Sequence, residues 1–119
     1  MKLLIVDDSL IMRRAIERSL GRSRFTEVHT ATTGSLAVDM FERHKPDVVT
    51  MDITMPDMDG LSAVDLILKK NPEAVILVVS ALADKATAVE AVKRGALGFL
   101  LKPITAESIQ TAFDNILSY

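Results

Sequence analysis

The stretch KLLIVDDSLIMRRAIERSL, residues 2–20, decides the fold. Lys2 to Val6 is a short, continuous apolar run closed by Asp7, the pattern of a strand buried on both faces. From Ser9 the period changes, and Met12, Ala15, Ile16 and Leu20 fall on one face of a helix. A buried strand therefore ends in two carboxylates, Asp7 and Asp8, and runs straight into a helix.

The same unit recurs to the end of the chain. Glu27 to Ala31 sets Val28 and Thr30 against His29 and Ala31, as expected of a half-covered edge strand. A helix after Gly34 carries Ala37, Met40 and Phe41 inward and stops before Pro46, whose predecessor is biased away from helical geometry. Asp47 to Met51 reads as the third strand. Leu61, Val64, Ile67 and Leu68 mark a third helix that ends near Asn71 and Pro72, and the β-branched run Val75 to Val79 is the fourth strand. Asp84 is the expected N-cap of a fourth helix that terminates at Gly95, and Gly98 to Leu101 is the fifth strand. The last helix starts at Thr105 and shows the stripe Ile109, Ala112, Phe113, Ile116, Leu117.

Five strand–helix units imply a doubly wound α/β fold, a five-stranded parallel sheet with five helices, because parallel strands need helical crossovers. With 119 residues there is room for one domain, expected to span 1–119. A composition of 49% hydrophobic and 25% charged residues is that of a folded globular domain, which sets aside intrinsic disorder. The net charge of −2 lacks the basic excess of a nucleic-acid binder, so no direct nucleic-acid contact is expected. There is no cysteine, which removes thiol catalysis and thiolate metal sites and directs any metal towards hard oxygen ligands. The longest run free of polar residues and glycine, Ala74 to Val79, is far below the roughly 20 residues of a membrane span. Only four apolar residues lie between Lys2 and Asp7, too few for a secretory signal, so no membrane insertion and a cytoplasmic location are expected.

In a parallel sheet all strands end on one edge, and ligands bind beyond the carboxyl ends where the strand order reverses. Here the first strand ends in Asp7 and Asp8, the third in Asp52, the fourth in Ser80 and Ala81, and the fifth in Lys102 and Pro103. Three carboxylates brought together repel, and a divalent cation together with Lys102 would cancel their formal charge. Magnesium is the natural candidate for carboxylate and carbonyl ligands without His or Cys. Such a site suits a phosphoryl group, with a carboxylate able to act as nucleophile and form an acyl phosphate. No P-loop and no G-x-G-x-x-G motif is present, so a nucleotide lacks its usual cradle.

LLIVDDS at 3–9, PDVVTMDITMPDMDG at 46–60, VVSA at 78–81 and GALGFLLKP at 95–103, in that order and spacing, resemble the response-regulator receiver domains of two-component signalling, in particular stand-alone chemotaxis-type regulators. The resemblance covers the whole chain and implies the strand order 2-1-3-4-5, which the spacing alone does not give. It implies Asp52 as phosphoacceptor, Asp7 and Asp8 with Asp52 as magnesium ligands, Thr54 as a further ligand through its backbone carbonyl, and Ser80 and Lys102 as contacts to the phosphoryl group. It also implies a cis Lys102–Pro103 peptide. Ser80 and Phe99 would be the switch pair that remodels the face of the fourth helix, fifth strand and fifth helix for a downstream target protein. Phe99 lacks a tyrosine hydroxyl, so its coupling would work through packing. The phosphodonor would be a sensor histidine kinase, and the domain would modify itself rather than turn over a substrate. Thr54 and Leu82 fall on positions that tune phosphate lifetime in the family; with the apolar Leu82, a longer-lived phosphate is expected than in members with polar residues at both.

Two other readings stand beside this one. An aspartyl-phosphate phosphatase shares the nucleophile and metal but expects Asp-x-Asp after the first strand, where this chain has adjacent Asp7 and Asp8. A phosphorylation-independent interaction module typically lacks one of the site residues. The cations Arg13, Arg14, Arg18, Arg22 and Arg24 read as a solvated helix face ahead of a kinase-docking surface. Met51, Met55 and Met58 read as packing, Asp57 and Asp59 as loop and turn residues, and His29 and His44 as surface residues.

Overall fold

The computed structural model describes residues 1–20, 25–54 and 60–117. Arg22, Arg24, Met55, Asp57, Met58 and Asp59 lie outside the described residues. The elements are β1 (Lys2–Val6), α1 (Leu10–Leu20), β2 (Glu27–Ala31), α2 (Gly34–His44), β3 (Val48–Asp52), α3 (Gly60–Lys70), β4 (Val75–Ser80), α4 (Lys85–Lys93), β5 (Gly98–Leu101) and α5 (Ala106–Leu117). The strands form one parallel sheet in the order β2-β1-β3-β4-β5. β2 is an edge strand, as its alternating sequence indicates.

Alternation along β1 divides the core between the two faces of the sheet. Leu3 and Ile5 pack with Ile16 and Leu20 of α1 and with Ile109 and Phe113 of α5. Leu4 and Val6 pack with Phe41 of α2, Val64 and Ile67 of α3, and Ala88 and Ala91 of α4. Both faces of the central strands are dry, which is why their sequences are continuous apolar runs.

Helix starts follow local side-chain chemistry. Met12 N–H donates to the Ser9 hydroxyl at 3.3 Å, and Leu36 N–H donates to the Thr33 hydroxyl at 3.1 Å. At α5, Ser108 N–H donates to Thr105 Oγ1 (3.0 Å) while Thr105 N–H donates to Ser108 Oγ (2.9 Å), a reciprocal cap. α4 differs from the sequence expectation. Asp84 stands at its N-cap position, but the side chain makes no capping hydrogen bond. A single 3₁₀ turn over Leu82–Asp84, for which the hydrophobic pattern holds no signal, precedes the helix.

β3 starts and ends one residue later than its apolar run suggests. Asp47 is engaged at the start of the sheet instead: its N–H donates to Lys2 O at 2.9 Å and its carboxylate accepts Lys2 N–H at 2.7 Å. Gly60 opens α3 directly against the end of β3. A Cβ there would fall onto the Ile53 backbone and lie 2.7 Å from Ile53 Cγ2, so only glycine fits this approach. Gly95 ends the fourth unit with φ of 125°, a backbone conformation that L residues rarely adopt.

Candidate functional site

The sheet register assembles the site. Val6 is paired with Met51, so Asp7 and Asp52 emerge side by side from neighbouring strands. Asp52 is paired with Val79, and Ser80 with Leu101, which places Ser80 and then Lys102 further along the same edge. Asp7, Asp52 and Ser80 are buried, whereas Asp8 is exposed at the rim. Asp7, Asp8 and Asp52 each offer a carboxylate oxygen within 4.8 Å of the others. Lys102 Nζ lies 3.6 Å from Asp52 Oδ2 and 3.9 Å from Asp7 Oδ2.

Backbone groups fix the two buried carboxylates. Asp7 Oδ1 accepts Ser9 N–H at 2.9 Å, and Asp52 Oδ1 accepts Thr54 N–H at 3.0 Å. Asp7 Oδ2 is buried and has no hydrogen-bond partner among the described residues. Burial pushes the Asp7 carboxyl up from 3.8 to about 6, opposed by the Ser9 N–H and helped by the nearby Asp52. Burial likewise raises Asp52, opposed by the Thr54 N–H and Lys102. An unpartnered carboxylate oxygen among three convergent carboxylates fits a hard divalent cation, which would supply the missing partner and relieve the repulsion.

The remaining residues sit around this cluster. Thr54 is exposed beside Asp52 and donates its hydroxyl to Asp84 Oδ2 at 3.0 Å. Ser80 Oγ donates to Ala81 O at 2.9 Å, and Lys102 N–H donates to Ser80 O at 2.7 Å, tying β5 to β4 at the site. The Lys102–Pro103 peptide is cis. Phe99 is partly buried and packs on the core that includes α4. The structure adds two residues that the sequence reading did not place here. Arg13 donates its guanidinium to Asp7 O at 2.9 Å, and Asp84 faces Thr54 rather than its own helix. Arg13 carries no sequence signal beyond its place in the first turn of α1, and Asp84 looks like an ordinary cap.

His29 and His44 come together away from this edge, their rings stacked at 3.8 Å and 15°. Among the described residues no helix is long and apolar enough to cross a membrane.

Comparison with known proteins gives one consistent answer. The sequence model described as the response regulator receiver domain matches residues 3–114. The chain is 42% identical over 114 residues to the chemotaxis protein CheY of Listeria monocytogenes, covering 96% of each chain. Among solved structures it is similar to the receiver domain of NtrX from Brucella abortus, with a TM-score of 0.88 at 30% identity over 98% of both chains. The response regulator domain of Thermotoga maritima CheB gives a TM-score of 0.85 at 31% identity, over 99% of this chain and 94% of that one.

Proposed function

The chain belongs to the response regulator receiver domain family and is a phosphorylation-activated signalling domain, and from that membership we propose that Asp52 is its phosphoacceptor. The observation that carries this assignment is the position of Asp52: buried at the end of β3, held by the Thr54 N–H, and 3.6 Å from the Lys102 ammonium. In the transfer, an Asp52 oxygen attacks the phosphorus of a phosphohistidine on a sensor histidine kinase. The new O–P bond forms as the P–N bond breaks, and the imidazole leaves with a proton. Lys102 favours the ionised Asp52 against the cost of burial and stands ready to neutralise the incoming phosphoryl oxygens.

Asp7, Asp8 and Asp52, with the Thr54 backbone carbonyl, would hold Mg2+, which supplies charge neutralisation and orientation of the phosphoryl group. The Ser80 hydroxyl is engaged with Ala81 O, so contact with a phosphoryl group exchanges one hydrogen bond for another and draws the end of β4 inward. Phe99, partly buried against the core that includes α4, would follow that movement. Leu97, just before β5, and Val92 on α4 are exposed and would give the α4-β5-α5 face apolar contacts for a target protein. The relatives named chemotaxis protein CheY support a chemotaxis pathway for that target. Residues 1–119 are read as one receiver unit that catalyses only its own phosphorylation and dephosphorylation.

Intact mass after brief incubation with acetyl phosphate, with and without Mg2+, tests the assignment on wild type and Asp52→Asn. The expected result is one added phosphoryl group that requires both Mg2+ and Asp52. A folded wild-type protein that gains no mass with Mg2+ present would instead support the phosphorylation-independent interaction module.

A further inference from the structure

α4 begins without the cap its sequence provides. Asp84 holds the N-cap position, where a carboxylate ordinarily accepts an N–H from the first turn, yet no such bond is made. Its Oδ2 accepts the hydroxyl of Thr54 at 3.0 Å instead. Thr54 in turn donates its backbone N–H to Asp52 Oδ1 at 3.0 Å. A single residue thus holds the reacting carboxylate with its main chain and the start of α4 with its side chain. Thr54 and Asp84 lie just beyond the ends of β3 and β4, which are paired, so this bond spans two neighbouring strand ends at the site.

We propose that Asp84 is a positioning residue for the Asp52 site, a latch that ties Thr54 at the end of β3 to the start of α4 and is exchanged for capping α4 when the latch opens. The inference rests on Asp52 being the phosphoacceptor. While closed, the latch steadies the Thr54 N–H on Asp52 and keeps Thr54 and Asp84 from parting to admit water. Hydrolysis forms a P–O bond to water, breaks the bond from phosphorus to the Asp52 oxygen, and releases inorganic phosphate, a proton and the free carboxylate. The latch slows that step. Its two partners for one carboxylate, the Thr54 hydroxyl or the N–H groups of Ala86 and Thr87, also link the loop beside Asp52 to the first turn of α4.

The test follows loss of the phosphoryl mass after removal of acetyl phosphate, in wild type, Asp84→Ala, Thr54→Val, the double variant and Asp84→Asn. Thr54→Val keeps the backbone carbonyl and N–H. Each of the first two variants is expected to shorten the phosphate lifetime about three- to tenfold. The double variant should be no shorter-lived than the more affected single variant, since both remove one interaction. Asp84→Asn still offers a carbonyl oxygen to Thr54 and should stay within about twofold of wild type. In parallel, amide hydrogen exchange at Ala86 and Thr87 should slow in Thr54→Val, where Asp84 is freed to cap, and not in the double variant. Lifetimes unchanged or longer in a folded single variant, additive losses in the double variant, or exchange unaffected by Thr54→Val would each overturn the latch. The exchange measurement needs no phosphate, so it decides the latch even if wild type fails to be phosphorylated.

Discussion

Asp7 shows what the site costs the fold. Its carboxyl is raised to about 6 chiefly by burial, so the ionised form is disfavoured in the native state relative to the unfolded chain. A group whose folded pKa is raised contributes stability that is fully present below its ordinary value and lost as pH rises through the folded value. The metal-free protein should therefore lose about 2–3 kcal/mol from Asp7 between about pH 4 and pH 7. Asp7→Asn is expected to stabilise the protein in EDTA at about pH 7 by roughly 1–3 kcal/mol and to flatten the profile on the acid side. Urea denaturation at both pH values checks this, and a variant less stable than wild type at neutral pH would contradict it. Mg2+ should stabilise wild type and have little effect on the variant. Asp7, Asp8, Asp52, Ser80 and Lys102 could be found from the sequence because each lies at or just past the end of an apolar run and parallel pairing brings those ends together. Asp84 could not, since a capping aspartate and a latching aspartate occupy the same place in the sequence.

At the scale of elements, the junction of β3 and α3 has the tightest tolerance. Gly60 lies so close to Ile53 that a single methyl group would meet backbone, which cannot swing aside as a flexible side chain can. Gly60→Ala is expected to destabilise the fold by about 2–4 kcal/mol and to disturb the end of β3, where Asp52 sits. Chemical denaturation and the yield of phosphorylated protein measure the two effects, and a variant as stable as wild type would show that the junction relaxes. Apart from α4, which is placed by its end signals, Asp84 and Gly95, apolar spacing places the strands and every helix, because burial on one or both faces sets the spacing of apolar residues. It misses the 3₁₀ turn at Leu82–Asp84, where Leu82 is exposed and no burial period exists to read. It also places β3 one residue early, since Asp47 looks like a strand residue until its bonds to Lys2 are seen.

Across the whole molecule, two cores share one sheet, so loosening one is expected to loosen the other. Phe113 is fully buried on the α1–α5 side and meets Phe25 edge to face, with ring centroids 6.1 Å apart and planes at 87°. Phe113→Ala should cost about 3–5 kcal/mol while unfolding remains a single transition, because the strands that lose packing also line the opposite core. Calorimetry and circular dichroism check this together; separate transitions would show two independently melting layers. The strand order is the part of the architecture that apolar spacing alone leaves open, since five alternating units fit several orders, and it took the family resemblance to select one.

That order bears on how the chain comes into being. β1 is made first and lies inside the sheet, flanked by β2 and β3, with Leu3 in register with Val28 on one side and Val48 on the other. On the ribosome, Leu3 to Val6 can gain β2 on one side once Ala31 has emerged, but wait for the other neighbour until the chain beyond Val48 is made. β4 and β5 are then laid outward in the order of their synthesis, each onto an edge already formed. The nascent chain's most apolar early segment is thus the one whose shelter arrives late, and holding it soluble falls to whatever meets the polypeptide at the exit tunnel.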